Sequence, residues 1–320
     1  MLSSTGPGEI FYRDVPWLDA AGDRILGAAL RRFAGAGLVA DRLALTLLVP
    51  VRGAAPLGWG HRGDRPIYPA SVIKLFYLVA AQAWRAKGRL RAGRELDRAL
   101  SAMIRRSSND ATNYVIDLLS GAVGGPALPP PAFARWIARR QAVNRYFRSW
   151  RWPEFAGINV LQKTWEDGPY GRERQARTRF RRGRNLLTTD ATARLLWAID
   201  RGAVVSPAAC RAMLALLERR PVGDAVAEGD NQIAGFFGDG LPPGSRLWSK
   251  AGWTSETRHD AAIVALPNGR RFILVAFTEG RAQAENAKLL PFLARRAAAE
   301  LGLRAPENRI DIVRPSTGSG

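Results

Sequence analysis

The segments of this chain that resemble β-strands lie near its two ends, and helical segments fill the middle. Apolar runs at 43–51 and 56–61 indicate strands in the N-terminal part. Near the C-terminus, "RLWSKAGW", "AAIVALP" and "RFILVAFT" indicate three more, and the turn "PNG" joins the last two as a hairpin. The pattern predicts an α+β fold in which N- and C-terminal segments form an antiparallel sheet flanked by helices, with an inserted all-α lobe.

Domain boundaries follow from the same pattern. We expect a discontinuous α/β lobe from residues 1–70 and 241–305, an all-α lobe over 71–240, and a flexible tail over 306–320, which has a linker-like composition. The two lobes together form one unit, and their junction is the expected place for a functional site. Within the all-α lobe, residues 157–187 are expected to be irregular, because the turn "DGPYG" precedes a basic run there.

Lysine is rare in this chain, and its positions are informative. Of the 48 Lys and Arg residues only five are Lys, namely Lys74, Lys87, Lys163, Lys250 and Lys288. Arg and Lys serve equally well as solvated charges, but only a buried lysine releases its proton near neutral pH. Lys74 follows Ser71 by three residues in an apolar helical run, and positions i and i+3 share a helix face. Ser71 is therefore a candidate nucleophile and Lys74 a candidate base that activates it.

A single Ser-x-x-Lys pair is also compatible with a Ser71 that only caps its helix and a Lys74 whose amine reaches solvent. Two further motifs favour chemistry. The stretch "SSN" places Ser107 and Asn109 on a turn between helices, and "KAG" places Lys250 on a C-terminal strand. The order Ser-x-x-Lys, Ser-x-Asn, Lys-x-Gly resembles the signature of the active-site-serine β-lactamase and penicillin-binding protein superfamily.

Within that superfamily the chain most resembles the class A β-lactamases, over most of residues 20–303. The stretches that carry the likeness are "YPASVIKLFYLVAAQAW", "SSNDATNYVIDLLSGAVGG", "TWEDG" and "NLLTTDATARLLWAI". The resemblance implies an acyl-enzyme mechanism in which Ser71 is the nucleophile, Lys74 its base, Ser107 the proton relay to the leaving group and Lys250 the cation that holds Ser107. It implies that the two lobes act as one catalytic unit.

The same resemblance implies the groups that contact substrate. The backbone N–H groups of Ser71 and Trp253 would form the oxyanion hole. Asn109 would contact the substrate amide, and Gly252 would lie along the bound substrate. Asn113 occupies the place of the family's second asparagine.

Three departures from the family pattern bear on the substrate. The segment between Ser71 and Ser107 is much shorter than in class A enzymes, so one wall of the cleft is expected to be reduced. Ala251 stands where the family has Thr or Ser to bind a substrate carboxylate, so Thr254, Arg258 or His259 is expected to substitute. Glu166 of "TWEDG" is the candidate deacylation base, and its alternative reading is a surface acid beside Asp167.

The composition also bears on disulfides, metal sites and localisation. One cysteine, Cys210, excludes an intrachain disulfide, and it has no zinc-site spacing with His61 and His259. We therefore expect no metal and no cofactor. No apolar stretch is long enough to span a membrane, and no secretory signal is visible, so a cytoplasmic protein is expected unless a signal was removed, which would make it periplasmic or secreted.

The net charge of +20 suggests nonspecific contacts with anionic partners. The basic run "RTRFRRGR" (177–184) belongs to no nucleic-acid module, so no specific nucleic acid is expected. The expected partner is a small-molecule amide or ester, a β-lactam being the first candidate. Two alternatives stay open: a peptidase, amidase or esterase on the same fold, and a binding protein that uses the basic surface and keeps a relic active site.

Overall fold

The computed structural model describes residues 11–179, 183–219 and 232–302. The tail expected over 306–320, and Phe180–Arg182 of the basic run, lie outside these residues.

The described strands form one antiparallel sheet of six strands in the order β2-β1-β6-β5-β4-β3. The strands are β1 (Leu43–Val49), β2 (Leu57–His61), β3 (Glu218–Arg219), β4 (Arg246–Thr254), β5 (Thr257–Ala265) and β6 (Arg271–Thr278). N-terminal β1 pairs with C-terminal β6, and Leu45 faces Ala276 in the register. The predicted α+β fold, with a sheet built from both ends of the chain, is confirmed.

Eleven α-helices are present in the described residues. They are α1 (Pro16–Phe33), α2 (Lys74–Ala86), α3 (Arg94–Arg105), α4 (Asn109–Ser120), α5 (Pro130–Arg140), α6 (Ala142–Arg148), α7 (Gly171–Arg179), α8 (Thr189–Asp200), α9 (Pro207–Leu217), α10 (Arg281–Glu285) and α11 (Leu289–Gly302). A 3-10 turn, Ala70–Ile73, leads directly into α2. No helix among these residues combines the length and apolar character that crossing a membrane requires.

The sheet is buried on both faces, which explains why its strands are nearly continuous apolar runs. Leu43, Leu45 and Leu47 of β1 point to one side, where α1 and α11 cover the sheet. Ala44 and Leu48 alternate with them and point to the other side, where the core contains α2 and α8. The inserted helices therefore pack on one face of the sheet, and the helices of the chain ends pack on the other.

Helix α2 is the centre of the inserted lobe. Every side chain from Lys74 to Trp84 is buried. A helix that is apolar all round is stable only when other elements surround it. Since Ser71 belongs to the turn that leads into α2, the candidate nucleophile is attached to one of the most completely buried helices of the fold.

Two features of the middle segment differ from the prediction. Residues 157–187, expected to be irregular, contain α7, whose buried Glu173 and Ala176 fix an arginine-rich helix without an apolar stripe of its own. The inserted segment is also not wholly helical, because β3 pairs with β4 through Glu218 and Trp248. Both α7 and β3 depend on contacts between residues that are far apart in the sequence, and local sequence patterns do not reveal such contacts.

Candidate active site

The turn that carries Ser71 has an unusual backbone. Ala70 has a φ of +44°, a left-handed conformation that is strained for a residue with a Cβ. Ser71 follows in the 3-10 turn and is half-buried, and α2 begins at Lys74. In a 3-10 turn the side chains at i and i+3 eclipse, so Lys74 lies on the same side as Ser71.

Lys74 is fully buried, and its amine contacts the loop between α3 and α4. Its Nζ donates to the carbonyl oxygen of Ser107 at 2.5 Å and to the side-chain oxygen of Asn109 at 2.8 Å. The Ser107 hydroxyl lies 3.2 Å from the same nitrogen. Burial lowers the pKa of Lys74 to about 7, so a substantial fraction of the amine is uncharged at neutral pH.

Ser107 lies between two lysines. Lys250 of β4 donates from Nζ to the Ser107 hydroxyl at 3.1 Å, opposite Lys74. The φ of Ser107 is +55°, so the loop turns sharply here, and Ser108 then caps α4 by accepting from the backbone N–H of Ala111. Two lysines, one at the start of the inserted segment and one on the C-terminal strand β4, thus meet at one hydroxyl.

Gly252 of β4 packs directly against the nucleophile turn. A Cβ at this position would lie 2.6 Å from the backbone nitrogen of Ser71 and 2.9 Å from the carbonyl oxygen of Pro69, so no side chain fits. The contact brings β4 and the Ser71 backbone together at the junction of the lobes.

The direction of the Trp253 N–H follows from the strand pattern. The N–H of Ala251 points away from β5, because it donates to Gln232 Oε1 at 3.2 Å. Alternate residues of a strand point their N–H groups to the same edge, so the N–H of Trp253 points to the same edge as that of Ala251. The Trp253 N–H therefore does not take part in the pairing of β4 with β5.

Thr254 shares a strand face with Lys250 and Gly252, since side chains alternate along β4. Its hydroxyl lies 3.1 Å from the hydroxyl of Thr257 and accepts from the N–H of Glu256 at 3.1 Å. The residue is half-buried. The Thr254 hydroxyl lies on the sheet face that carries Lys250, but it already accepts a hydrogen bond within the turn between β4 and β5.

The expectation that Arg258 substitutes for the missing hydroxyl of Ala251 is not supported. Arg258 is opposite Trp253 in the register, on the sheet face away from Lys250. Its guanidinium lies 5.0 Å from the centre of the Phe236 ring, and its Nε donates to the carbonyl oxygen of Ala284 at 2.9 Å. These contacts hold it in the fold rather than in the cleft.

His259 is also not available to a substrate. It faces the cluster side, opposite Gly252, but it is fully buried beneath the nucleophile turn. Its Nε2 contacts the carbonyl oxygen of Tyr68 at 2.9 Å, and its Nδ1 contacts the backbone nitrogen of Thr278 at 3.0 Å. Both ring nitrogens are therefore occupied by backbone, which leaves neither of them for the substrate-binding role expected of His259.

The loop that contains Glu166 contacts α4 through a different residue. The side chain of Asn113 donates to the carbonyl oxygen of Thr164 at 2.8 Å and accepts from its N–H at 2.9 Å. Lys163 pairs with Asp117 of the same helix at 2.6 Å. Glu166, two residues further on, is exposed. Thr164 is thus held against α4, and the exposure of Glu166 agrees with its alternative interpretation as a surface acid.

Gln232 also belongs to the cluster, although no sequence motif indicated it. Gln232 accepts from Lys250 Nζ at 2.5 Å through its side-chain oxygen, and the same oxygen accepts from the Ala251 N–H. It orients the lysine and fills the edge of β4. A lone glutamine outside any motif carries no signal in one sequence.

The arrangement combines a half-buried hydroxyl, an amine whose pKa is near neutrality and a second hydroxyl that contacts this amine and a second ammonium. Such a set can transfer a proton from Ser71 to Lys74 and onward through Ser107. No cluster of three or more histidine, cysteine or carboxylate side chains able to hold a metal ion was found among the described residues.

The chain is similar to known proteins both in sequence and in structure. A family model described as "Beta-lactamase enzyme family" matches residues 93–301. This range includes Ser107, Asn109 and Lys250 but begins after Ser71 and Lys74. No curated protein matches the sequence significantly.

Solved structures match nearly the whole chain. The β-lactamase from Sphaerobacter thermophilus has 21% identity and a TM-score of 0.62, and the match covers 89% of this chain and 99% of that chain. PBP-A has 20% identity and a TM-score of 0.60, with 90% and 97% covered. A β-lactamase from Xanthomonas campestris pv. campestris has 18% identity and a TM-score of 0.59, with 88% and 98% covered. At these identities the structures establish the fold alone.

Proposed function

Because the chain belongs to the β-lactamase enzyme family, we propose that it is a serine hydrolase that cleaves an amide or ester through an acyl-enzyme on Ser71. A β-lactam is the first candidate substrate. The proposal covers the roles of individual residues, which family membership alone does not supply.

One observation carries the proposal. The amines of Lys74 and Lys250 both contact the Ser107 hydroxyl, at 3.2 and 3.1 Å. In a chain that uses arginine almost everywhere, these are two of only five lysines. Burying two cations against one hydroxyl is costly in free energy, and it is understandable if one of them works as an uncharged base.

The proposed acylation uses these groups in turn. Uncharged Lys74 accepts the proton of Ser71 Oγ, and Oγ forms a bond to the substrate carbonyl carbon. Ser107 gives its proton to the leaving nitrogen or oxygen and takes one from Lys74, so the C–N or C–O bond breaks with the protons balanced. Lys250 stays charged and holds the Ser107 hydroxyl in position. Asn109, which contacts Lys74, is near enough to the cluster to contact the substrate amide as well.

The backbone supplies the oxyanion hole. The N–H groups of Ser71 and Trp253 would donate to the oxygen that becomes negative as Oγ attacks. The close contact between Gly252 and the Ser71 backbone supports this pairing, because it fixes the separation of the two donors.

Deacylation differs from the class A pattern. Water must attack the Ser71 ester, and a base must take its proton. Since Glu166 is exposed, we propose that it is not this base and that a penicillin acyl-enzyme is long-lived. The protein then binds penicillin covalently more readily than it hydrolyses it.

A second candidate function, that of a peptidase, amidase or esterase on the same fold, is favoured by the residues beside the nucleophile. Ala251 offers no hydroxyl to a substrate carboxylate, and the hydroxyl of Thr254 is held by Thr257. Both features favour a substrate that lacks a carboxylate at that position.

The binding-protein alternative requires a relic site. The contacts of Lys74, Ser107 and Lys250 argue against it, since burying two lysines at one hydroxyl costs free energy that a binding surface elsewhere does not require.

The experiment is intact-mass detection of an acyl adduct after incubation with a panel of penicillins and p-nitrophenyl esters. Wild type should gain one adduct, and Ser71→Ala none, with turnover lowered by about three orders of magnitude or more. The adduct should decay at the same rate in wild type, Glu166→Gln and the neighbouring control Asp167→Asn. Labelling of Ser71→Ala, or no labelling of wild type by any probe, would overturn the proposal. Slower decay in Glu166→Gln alone would restore Glu166 as the deacylation base.

A further inference from the structure

His259 is fully buried, and its contacts define which nitrogen carries the proton. The backbone N–H of Thr278 donates to Nδ1 at 3.0 Å, so Nδ1 is the unprotonated nitrogen. Nε2 therefore carries the proton and donates it to the carbonyl oxygen of Tyr68 at 2.9 Å. Burial lowers the pKa of His259 to about 4, and the ring stays neutral at physiological pH.

The ring is held rigidly. Its centre lies 4.7 Å from that of Phe277 on the neighbouring strand. With one nitrogen bound to β6 and the other to Tyr68, His259 links the centre of the sheet to the segment that leads into the nucleophile turn. A neutral imidazole with two satisfied nitrogens has no proton to exchange with a substrate, so its contribution is mechanical.

The segment it contacts is strained. Tyr68 and Pro69 precede Ala70, whose φ is +44°. Strained backbone persists only where surrounding contacts over-determine it. On one side, Ile67 exchanges two backbone hydrogen bonds with Leu187, at 2.8 and 2.9 Å. The hydrogen bond from His259 to Tyr68 provides the next contact along the chain, two residues before the strained Ala70.

The pairing of β4 with β5 supplies a second contact to the same turn. His259 is the register partner of Gly252, whose backbone packs against the Ser71 nitrogen and the Pro69 carbonyl. One pair of facing residues in the sheet thus contacts the turn twice, through the glycine at Ser71 and through the histidine at Tyr68.

From these contacts we propose that His259 is a positioning residue, which holds the Tyr68 carbonyl and so fixes the Ser71 hydroxyl and N–H in the geometry needed for acylation. The inference rests on the proposed function, because it assigns a role in the acylation of Ser71. It requires that variants without the Nε2 donor be acylated more slowly even when they are folded.

Three substitutions separate positioning from packing. His259→Gln keeps a side-chain N–H that reaches about as far as Nε2. His259→Asn keeps the polarity, but its amide is too short to reach Tyr68. His259→Leu keeps much of the volume and has no donor. His61→Leu is the matched control, since His61 of β2 also contacts a backbone carbonyl, that of Ala40 at 3.1 Å, far from the turn.

The measurement is the second-order rate of Ser71 labelling by a fluorescent penicillin and a fluorophosphonate, well below the melting temperature of each variant. We expect His259→Leu and His259→Asn to lose about 100-fold in rate, as a displacement of about 1 Å at the reacting atoms would cause. His259→Gln should stay within about tenfold of wild type, and His61→Leu should match wild type.

The outcomes distinguish the two proposals. If folded His259→Leu or His259→Asn labels as fast as wild type, or if Gln loses as much as Asn, the positioning role is wrong while the proposed function stands. Should His259→Leu fail to fold, the comparison of Gln with Asn decides. A wild-type protein that no probe acylates overturns the proposed function, and the inference about His259 with it.

Discussion

At the scale of single residues, Lys74 shows how burial changes the chemistry of a side chain. The same amine on the surface would be charged at every physiological pH. Here the free-energy cost of burying the charge favours the uncharged form, and the contacts with Ser107 and Asn109 hold the nitrogen in place. Arginine in this position would keep its charge, which gives the first prediction.

Lys74→Arg should lower the rate of Ser71 acylation by about three orders of magnitude, nearly as much as Ser71→Ala, although it preserves charge and much of the volume. The measurement is the labelling rate with a fluorescent penicillin. Lys288→Arg, at an exposed lysine, is the control and should behave as wild type. Activity of Lys74→Arg within threefold of wild type would mean that the base lies elsewhere.

The pH dependence of acylation tests the same residue. Only uncharged Lys74 accepts a proton, so the rate should fall about tenfold per pH unit below the pKa of Lys74, about 7, and level off above it. Stability changes in the same direction. The pKa of Lys74 in the folded protein lies below its ordinary value of 10.5, so the unfolded chain binds more protons between these two pH values, and the free energy of unfolding rises with pH there. Stopped-flow acylation across pH 5–9 checks the first statement, and a flat profile contradicts it.

At the scale of elements, α7 depends on buried charges rather than on an apolar stripe. Glu173 of α7 pairs with Arg140 of α5 at 2.5 Å, and both side chains are almost fully buried. Arg140 also donates to the carbonyl oxygen of Ala122. The pairing ties α7, and with it the loop that carries Thr164 and Glu166, to the body of the inserted lobe.

Glu173→Gln should lower the free energy of unfolding by about 3 kcal/mol, because it leaves the buried Arg140 without its main partner. Replacing both residues by Met should restore much of the loss, since no buried charge then remains unpaired. Denaturant unfolding measures both. Glu95→Gln, which breaks the exposed pair with Arg98, is the control and should leave the midpoint unchanged. A single variant as stable as wild type would show that the buried pair does not hold α7.

At the scale of the whole molecule, the net charge of +20 acts as a diffuse field. Arg135, Arg139, Arg174 and Arg177 of α5 and α7 are exposed, and the sequence between α4 and α8 carries far more basic than acidic residues. Such a surface attracts any polyanion without reading its sequence. We therefore expect nonspecific contacts with polyanions and no sequence-specific nucleic-acid partner.

Retention on immobilised duplex DNA should therefore be strong at about 50 mM salt and lost by about 200 mM, because binding rests on counterion release. Two duplexes of unrelated sequence should elute at the same salt concentration. A complex that survives physiological salt and prefers one sequence would contradict this and revive the binding-protein alternative.

The amino-acid sequence by itself was sufficient for the features that depend on short-range order. Strand-like runs at both ends of the chain predicted the sheet, because alternation and turn chemistry are local. The spacing of Ser71 and Lys74 predicted a shared face, because one helical turn fixes it. The motifs at Ser107 and Lys250 predicted the family.

Tertiary structure alone decided which other side chains reach the cluster. His259 and Arg258 are neighbours on β5, and the pleat points their side chains to opposite faces of the sheet. Arg258 faces away from Lys250, whereas His259 faces the cluster but is buried beneath the nucleophile turn. The side chain of Asn113 hydrogen-bonds the backbone of Thr164, two residues before Glu166, and Glu166 is exposed. Gln232 enters the cluster from a segment without a motif. Each outcome depends on a strand register or a loop path set by residues far away in the chain, and no local pattern contains that information.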